Sequence, residues 1–178
     1  MHRFAAAVLT ASLVVAPAVA KTIKASKVVE SCTSPADRTA FDTEGLKSEL
    51  MVTALACKEQ DKYNSFMRTY QPAVASTEHD LNAYFKRVYG RQYQKAYDDY
   101  ISNLANVQEQ EGLKTGTAFC QIFQNMFDEV MSLHDGTELA AYAHSQAIVQ
   151  PIAFTTCSDV PVKTLSKPRH KSSKHKTA

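Results

Sequence analysis

Between Asp42 and Gln150 the apolar residues of this chain recur at steps of three and four, and strict alternation is absent. That spacing puts them on one face of an α-helix and argues against half-buried strands, whose side chains alternate. A first helix is expected from about Thr43 to Lys58, because Leu46, Leu50, Ala54 and Cys57 follow at steps of 4, 4 and 3 behind an Asp42 or Thr43 cap. A second stretch, from near Asp61 to Gly90, carries the stripe Tyr63, Phe66, Tyr70, Val74, Thr77, Leu81, Tyr84 and Val88. Pro72 must kink or split it, since proline removes a backbone donor. A third helix, about Arg91 to Gln110, is expected to stop before Gly112. The fourth, from Thr115 or Thr117 to Leu133, is the most apolar and is expected at the centre. A fifth starts at Asp135, which stands at capping-box spacing from Glu138, and ends before Pro151. Five helices on short connections predict an all-α antiparallel bundle. Five Gly and six Pro in 178 residues are too few turn residues for a many-stranded sandwich.

The ends of the chain read differently. Residues 1–20 have Arg3 near the start, an apolar run from Phe4 to Val15, then Pro17 and the small end Ala18-Val19-Ala20. This is the layout of a secretory signal peptide cut between Ala20 and Lys21. The apolar run is too short for a spanning helix, and no transmembrane segment is expected in the mature chain. Export predicts a periplasmic or secreted protein and makes disulfides the natural state of its four cysteines, Cys32, Cys57, Cys120 and Cys157. No pair has the close spacing of a structural zinc site. In an up-and-down bundle the end of the first helix lies beside the start of the fourth. Of three possible pairings this favours Cys57–Cys120 with Cys32–Cys157. Residues 21–42 are expected to be irregular, and residues 43–162 to form the bundle domain.

Charge separates along the chain. Residues 21–162 hold thirteen Lys/Arg against eighteen Asp/Glu, a net of −5, whereas residues 163–178 hold six basic residues and no acid, a net of +6. The final segment has too little apolar surface to offset the entropy of ordering and is expected to be a disordered basic tail. Lys163, Lys167, Arg169, Lys171, Lys174 and Lys176 are its candidate anion-binding residues. Outside the cytosol they would meet an anionic envelope surface or an acidic protein, and nucleic acid is disfavoured.

Motifs that carry chemistry are missing. There is no G-x-S-x-G, no H-E-x-x-H, no phosphate-cradling glycine loop and no Glu-x-x-His pair of the di-iron type. No catalytic or metal-binding residue and no cofactor is expected. His134 and Glu138, four apart, read as a solvent-facing pair, and Met126 and Met131 as core filler rather than haem ligands. The run 85–100 interleaves Tyr89, Tyr93, Tyr97 and Tyr100 with Lys86, Arg87, Arg91 and Lys95. Its rings read as an inward stripe rather than a stacking platform for single strands or sugars.

The segments LKSELMVTALACKEQDKYNSFMRTYQP and LNAYFKRVYG, with the helix at Phe119-Cys120, resemble small exported helical proteins of alphaproteobacteria that have no assigned activity. The resemblance spans about residues 44–125. It implies export, helices and disulfides, and transfers no catalytic residue. The expectation is an exported, disulfide-stabilised helical protein with a non-enzymatic binding or structural role in the cell envelope. Two alternatives stand beside it: a cofactor- or metal-carrying or enzymatic bundle without a sequence motif, and a surface adhesion or chaperone-like module using the tail.

Overall fold

A computed structural model describes residues 32–157. The expected leader, residues 21–31 and the basic tail with its six candidate residues lie outside the described residues. The fold is an all-α antiparallel bundle of five helical stretches, the second broken in two: α1 (Pro35–Cys57), α2 (Gln60–Thr69), α3 (Gln71–Tyr89), α4 (Tyr93–Thr115), α5 (Phe119–Met131) and α6 (Gly136–Ser145).

The first correction concerns where helix begins. Residues 35–42, expected to be irregular, are the first two turns of α1. Ser34 Oγ accepts from the Asp37 amide at 3.1 Å, and Asp37 Oδ2 accepts from the Ser34 amide at 3.0 Å. This reciprocal cap, with Pro35 supplying a preset φ at the first helical position, starts the helix well before the apolar stripe does. The second correction is the break near Pro72. It falls at Tyr70, so that Pro72 sits in the first turn of α3, where its missing N–H costs nothing. The Tyr70 hydroxyl donates to the carbonyls of Val130 and Leu133, at 2.7 and 2.9 Å, and ties the bend to the end of α5.

Gly112 does not end the third stretch. α4 runs through it to Thr115, and the chain turns at Gly116, whose φ is +63°. A Cβ on Gly112 would lie 2.9 Å from the Phe119 ring, so this glycine serves close packing and not termination. The last helix also stops short. α6 is capped by Asp135 Oδ1, which accepts from Thr137 and Glu138 amides, and it ends at Ser145. Ile148 packs on the core from an extended strap that runs to Cys157. Pro151 disfavours helix in the residue before it, and Gln150 is held extended by its side-chain bonds to Phe41 O and the Tyr100 hydroxyl, both 3.1 Å.

The central helix is α1, not the apolar α5. Helix α1 packs against α2, α3, α4, α5 and α6, whereas α5 leaves Ile122 and Met131 exposed. One half of the core gathers Leu46, Leu50, Phe66, Tyr70, Phe127 and Leu139; the other centres on Phe41, ringed by Tyr84, Phe85, Tyr100 and Phe154. Two disulfides, Cys57–Cys120 and Cys32–Cys157, close the ends as the bundle topology favoured. Beside the second, Thr33 donates to Thr155 O at 2.8 Å.

A central position obliges α1 to bury polar groups, and most find partners. Ser48 Oγ donates to Gln108 Oε1 at 2.5 Å, while Gln108 Nε2 donates to Gly45 O at 3.0 Å, and all three residues are buried. Gln108→Ala strips both bonds from the α1–α4 contact and leaves Ser48 without a partner in the core. The expected loss is about 2–4 kcal/mol in urea unfolding, against less than about 0.5 kcal/mol for the exposed Asn106→Ala.

Candidate functional site

The C-terminal turns of α1 and α4 and the first turn of α5 border an opening at one end of the bundle. The space between is an open groove of about 480 Å³. Val52 and Ala56 form one wall, Glu109, Gly112 and Leu113 the other, and Gly116, Thr117, Phe119 and Cys120 close the end. Each wall has a local cause. Gly112 lets the Phe119 ring lie against α4, Gly116 takes the left-handed turn that brings the chain back, and the Cys57–Cys120 bond fastens α5 to the tip of α1. Leu113 is 75% exposed and Leu55, one turn from Val52, is 64% exposed. Of the two, Leu113 lines the apolar trough, and a ligand there would cover it, with about 1.5–3 kcal/mol available for its burial.

One buried polar group lies on α1 before this place. Glu49 precedes Val52 by about one turn of α1 and is not among the residues that line the groove. It is 6% exposed and makes no hydrogen bond or ion pair among the described residues. Burial pushes its carboxyl up to about 7, and the neighbouring Glu111 carboxylate adds to the effect. Glu111 is itself engaged by Lys114 at 2.8 Å. Thr53, the next buried polar residue along α1, has a hydroxyl without a partner.

A second groove, of about 680 Å³, runs between α1, α3 and the start of α6. It is larger but chemically quieter. Its walls are mostly alanines and hydroxyl residues, with Asp80 on α3, and its Asp135 is committed to capping α6. His134, also at its edge, faces water as expected, with Nδ1 2.9 Å from Glu138; that hydrogen bond raises the imidazole. Among the described residues no group of three His, Cys, Asp or Glu is placed to hold a metal ion.

The tyrosine-rich run is absorbed largely by packing. Tyr100 is buried at 5.1 Å from Phe41, Tyr97 meets Phe85 edge-on, and the exposed Tyr89 stacks on Phe85. Lys95 is paired with Asp99, and Lys86 lies over the Tyr93 ring. His144, towards the end of α6, is joined to Asp42 at 2.7 Å, and Asp42 also holds Arg38.

No family model matches the chain, and no curated protein or solved structure matches it. The site residues here were not singled out from sequence. For the buried carboxyl nearby, the available signal was Glu49, set between Leu46 and Leu50 in the stripe of the first helix.

The sign of the Glu49 effect is fixed by its raised value. In the unfolded chain the carboxyl ionises near its ordinary value, whereas the folded state holds the proton until about pH 7. Stability therefore falls as pH rises between those two values and is flat above. Glu49→Gln is expected to raise stability by about 2–3 kcal/mol at pH 8 and to change it little at pH 5, read from denaturant unfolding at both values.

Proposed function

We propose that this is an exported, disulfide-stapled helical binding protein with a non-enzymatic role, and that the α1–α4–α5 groove takes up an aliphatic ligand outside the cytosol. The observation that carries this reading is the apolar trough itself, with Leu113 standing exposed on its wall. Its walls hold one carboxylate, Glu109, and otherwise apolar, glycine, cysteine and threonine positions, a lining that suits retention of a chain more than turnover. The volume falls within the range of ligand pockets.

Two features support the compartment. All four cysteines are bonded, which fits an oxidising space, and no helix among the described residues is long and apolar enough to cross a membrane. The first twenty residues read as a leader, in keeping with the resemblance to exported alphaproteobacterial proteins. Expressed with its leader in a Gram-negative host, the protein is expected in the periplasm or medium, beginning at Lys21 by N-terminal sequencing and without titratable thiols. Cytosolic protein starting at Met1 would remove the export reading.

Binding is checked with Nile red, a neutral dye whose emission rises in apolar surroundings. The wild-type protein is expected to bind it saturably. Leu113→Glu and Ala56→Glu place a charge at exposed positions of the groove and are expected to weaken binding at least about tenfold with thermal melting unchanged. Equal dye binding by wild type and both variants would assign the dye to another surface and remove this function.

A further inference from the structure

We propose that a slot between α3, α4 and the strap binds one pyranose ring of a neutral saccharide, stacked on Tyr89 and hydrogen-bonded by Asp99 and Asn103. It is a second site and does not rest on the reading of the apolar groove. The slot holds about 230 Å³, and Tyr84, Tyr89, Asp99, Asn103, Pro151 and Ile152 are among the residues that line it. Two helix faces build it. Phe85 and Tyr89 stand four apart on α3, and Ala96, Asp99, Tyr100 and Asn103 follow at helical spacing on α4, so each set shares a face. Ala96 lines the slot with a single methyl group, where a larger side chain would fill it. Tyr89 is 48% exposed, more than any other aromatic residue among the described ones. Its ring stacks on the Phe85 ring at 5.5 Å and 19°, and no other ring or cation is placed on it among the described residues. The ring is thus held from one side and open to a ligand on the other.

The chemistry around that ring selects the ligand. Asp99 Oδ2 accepts from Lys95 at 2.5 Å, which balances its charge and leaves Oδ1 as an acceptor. The Asn103 amide and the Tyr84 hydroxyl, each able to donate and to accept, make no hydrogen bond among the described residues. Tyr84 is only 8% exposed, and a hydroxyl on so enclosed a ring gains from a partner brought into the slot. A pyranose ring meets these demands together. Its C–H face lies on an aromatic ring, and its hydroxyls donate to a carboxylate and exchange bonds with an amide. Other ligands suit the slot less. A quaternary ammonium wants rings free of other cations and a carboxylate to itself. Here Arg87 already lies 5.3 Å over the Tyr84 ring, and Lys95 has taken Asp99. A proline-rich strand docks along an aromatic groove, whereas this slot is smaller than the usual ligand pocket and has room for one ring.

The experiment uses the full mature chain and the methyl glycosides of glucose, galactose, mannose and N-acetylglucosamine, with tetramethylammonium chloride and a polyproline peptide for comparison. Saturation-transfer NMR is expected to show saturable binding of at least one glycoside, with a Kd on the order of millimolar for a single ring and with transfer to the ring C–H protons. Tyr89→Ala, Asn103→Ala and Ala96→Leu, all outside the buried core, are expected to weaken that binding at least about fivefold, with helicity, thermal melting and the Nile red response unchanged. Tyr89→Phe is expected to keep most of it, because the ring face remains. No glycoside binding by helical, disulfide-bonded protein, or binding that survives both Tyr89→Ala and Asn103→Ala, would overturn the saccharide site. Tighter binding of tetramethylammonium or of the peptide than of every glycoside would overturn it as well and assign the slot to that chemistry. Each of these results leaves the apolar groove standing, since Leu113→Glu and Nile red test it separately.

Discussion

The structure depends on one helix being surrounded. Helix α1 touches every other helix of the bundle, yet its sequence is not that of a greasy rod. Asp37, Asp42, Thr43, Glu44, Ser48, Glu49 and Thr53 are buried along it beside Phe41, Leu46 and Leu50. Desolvating that many polar groups is tolerable only if neighbours arrive with the matching donors. Arg87 reaches Asp37 from α3, Lys47 bridges Glu44 to Glu78, and Gln108 spans Ser48 and Gly45 from α4. Each such pair fixes the rotation and register of a helix against α1 in a way that apolar contact alone does not.

The exceptions to this pairing are concentrated and so become informative. The Oε2 atom of Glu44 and the Thr53 hydroxyl are buried without partners, and Glu49 has no counter-ion among the described residues. Glu44 is compensated through its other oxygen by Lys47 at 2.9 Å. Glu49 has a like charge, Glu111, where a counter-ion is wanted. A fold that satisfies its central helix elsewhere leaves this carboxyl without a counter-ion, while the apolar trough lies further along α1, from Val52 to Ala56. The Cys57–Cys120 bond holds the end of that trough in place, because it joins the tip of α1 to the first turn of α5.

Helix type, number and order were readable because the apolar residues keep a period near 3.6 from Leu46 to Ala143. The Asp135 cap and the outward-facing His134–Glu138 pair were readable for a related reason: both are local, decided within one turn of helix. The disulfide pairing followed once five antiparallel stretches were assumed. The helix ends at Gly112 and Pro151 misled, since a glycine or proline marks several things, and only the Phe119 ring against Gly112 and the Gln150 bonds to the strap tell which. The apolar content of α5 suggested a central place because hydrophobicity counts side chains without counting the partners of polar ones. The Ser34–Asp37 box lay in plain view but ahead of the apolar stripe that was used to find helix starts.

By itself the sequence determined an α-helical chain with two disulfides and an uneven distribution of charge, because periodicity, cysteine number and composition are properties of near neighbours and of sums. Tertiary structure alone decided which helix lies at the centre and that Gly112 serves packing. It also decided that Glu49 is buried with the like charge of Glu111, and no counter-ion among the described residues, as its neighbour. Those outcomes depend on side chains that meet from positions about sixty residues apart, as Ser48 and Gln108 do. A linear pattern carries no record of which residue will arrive opposite another.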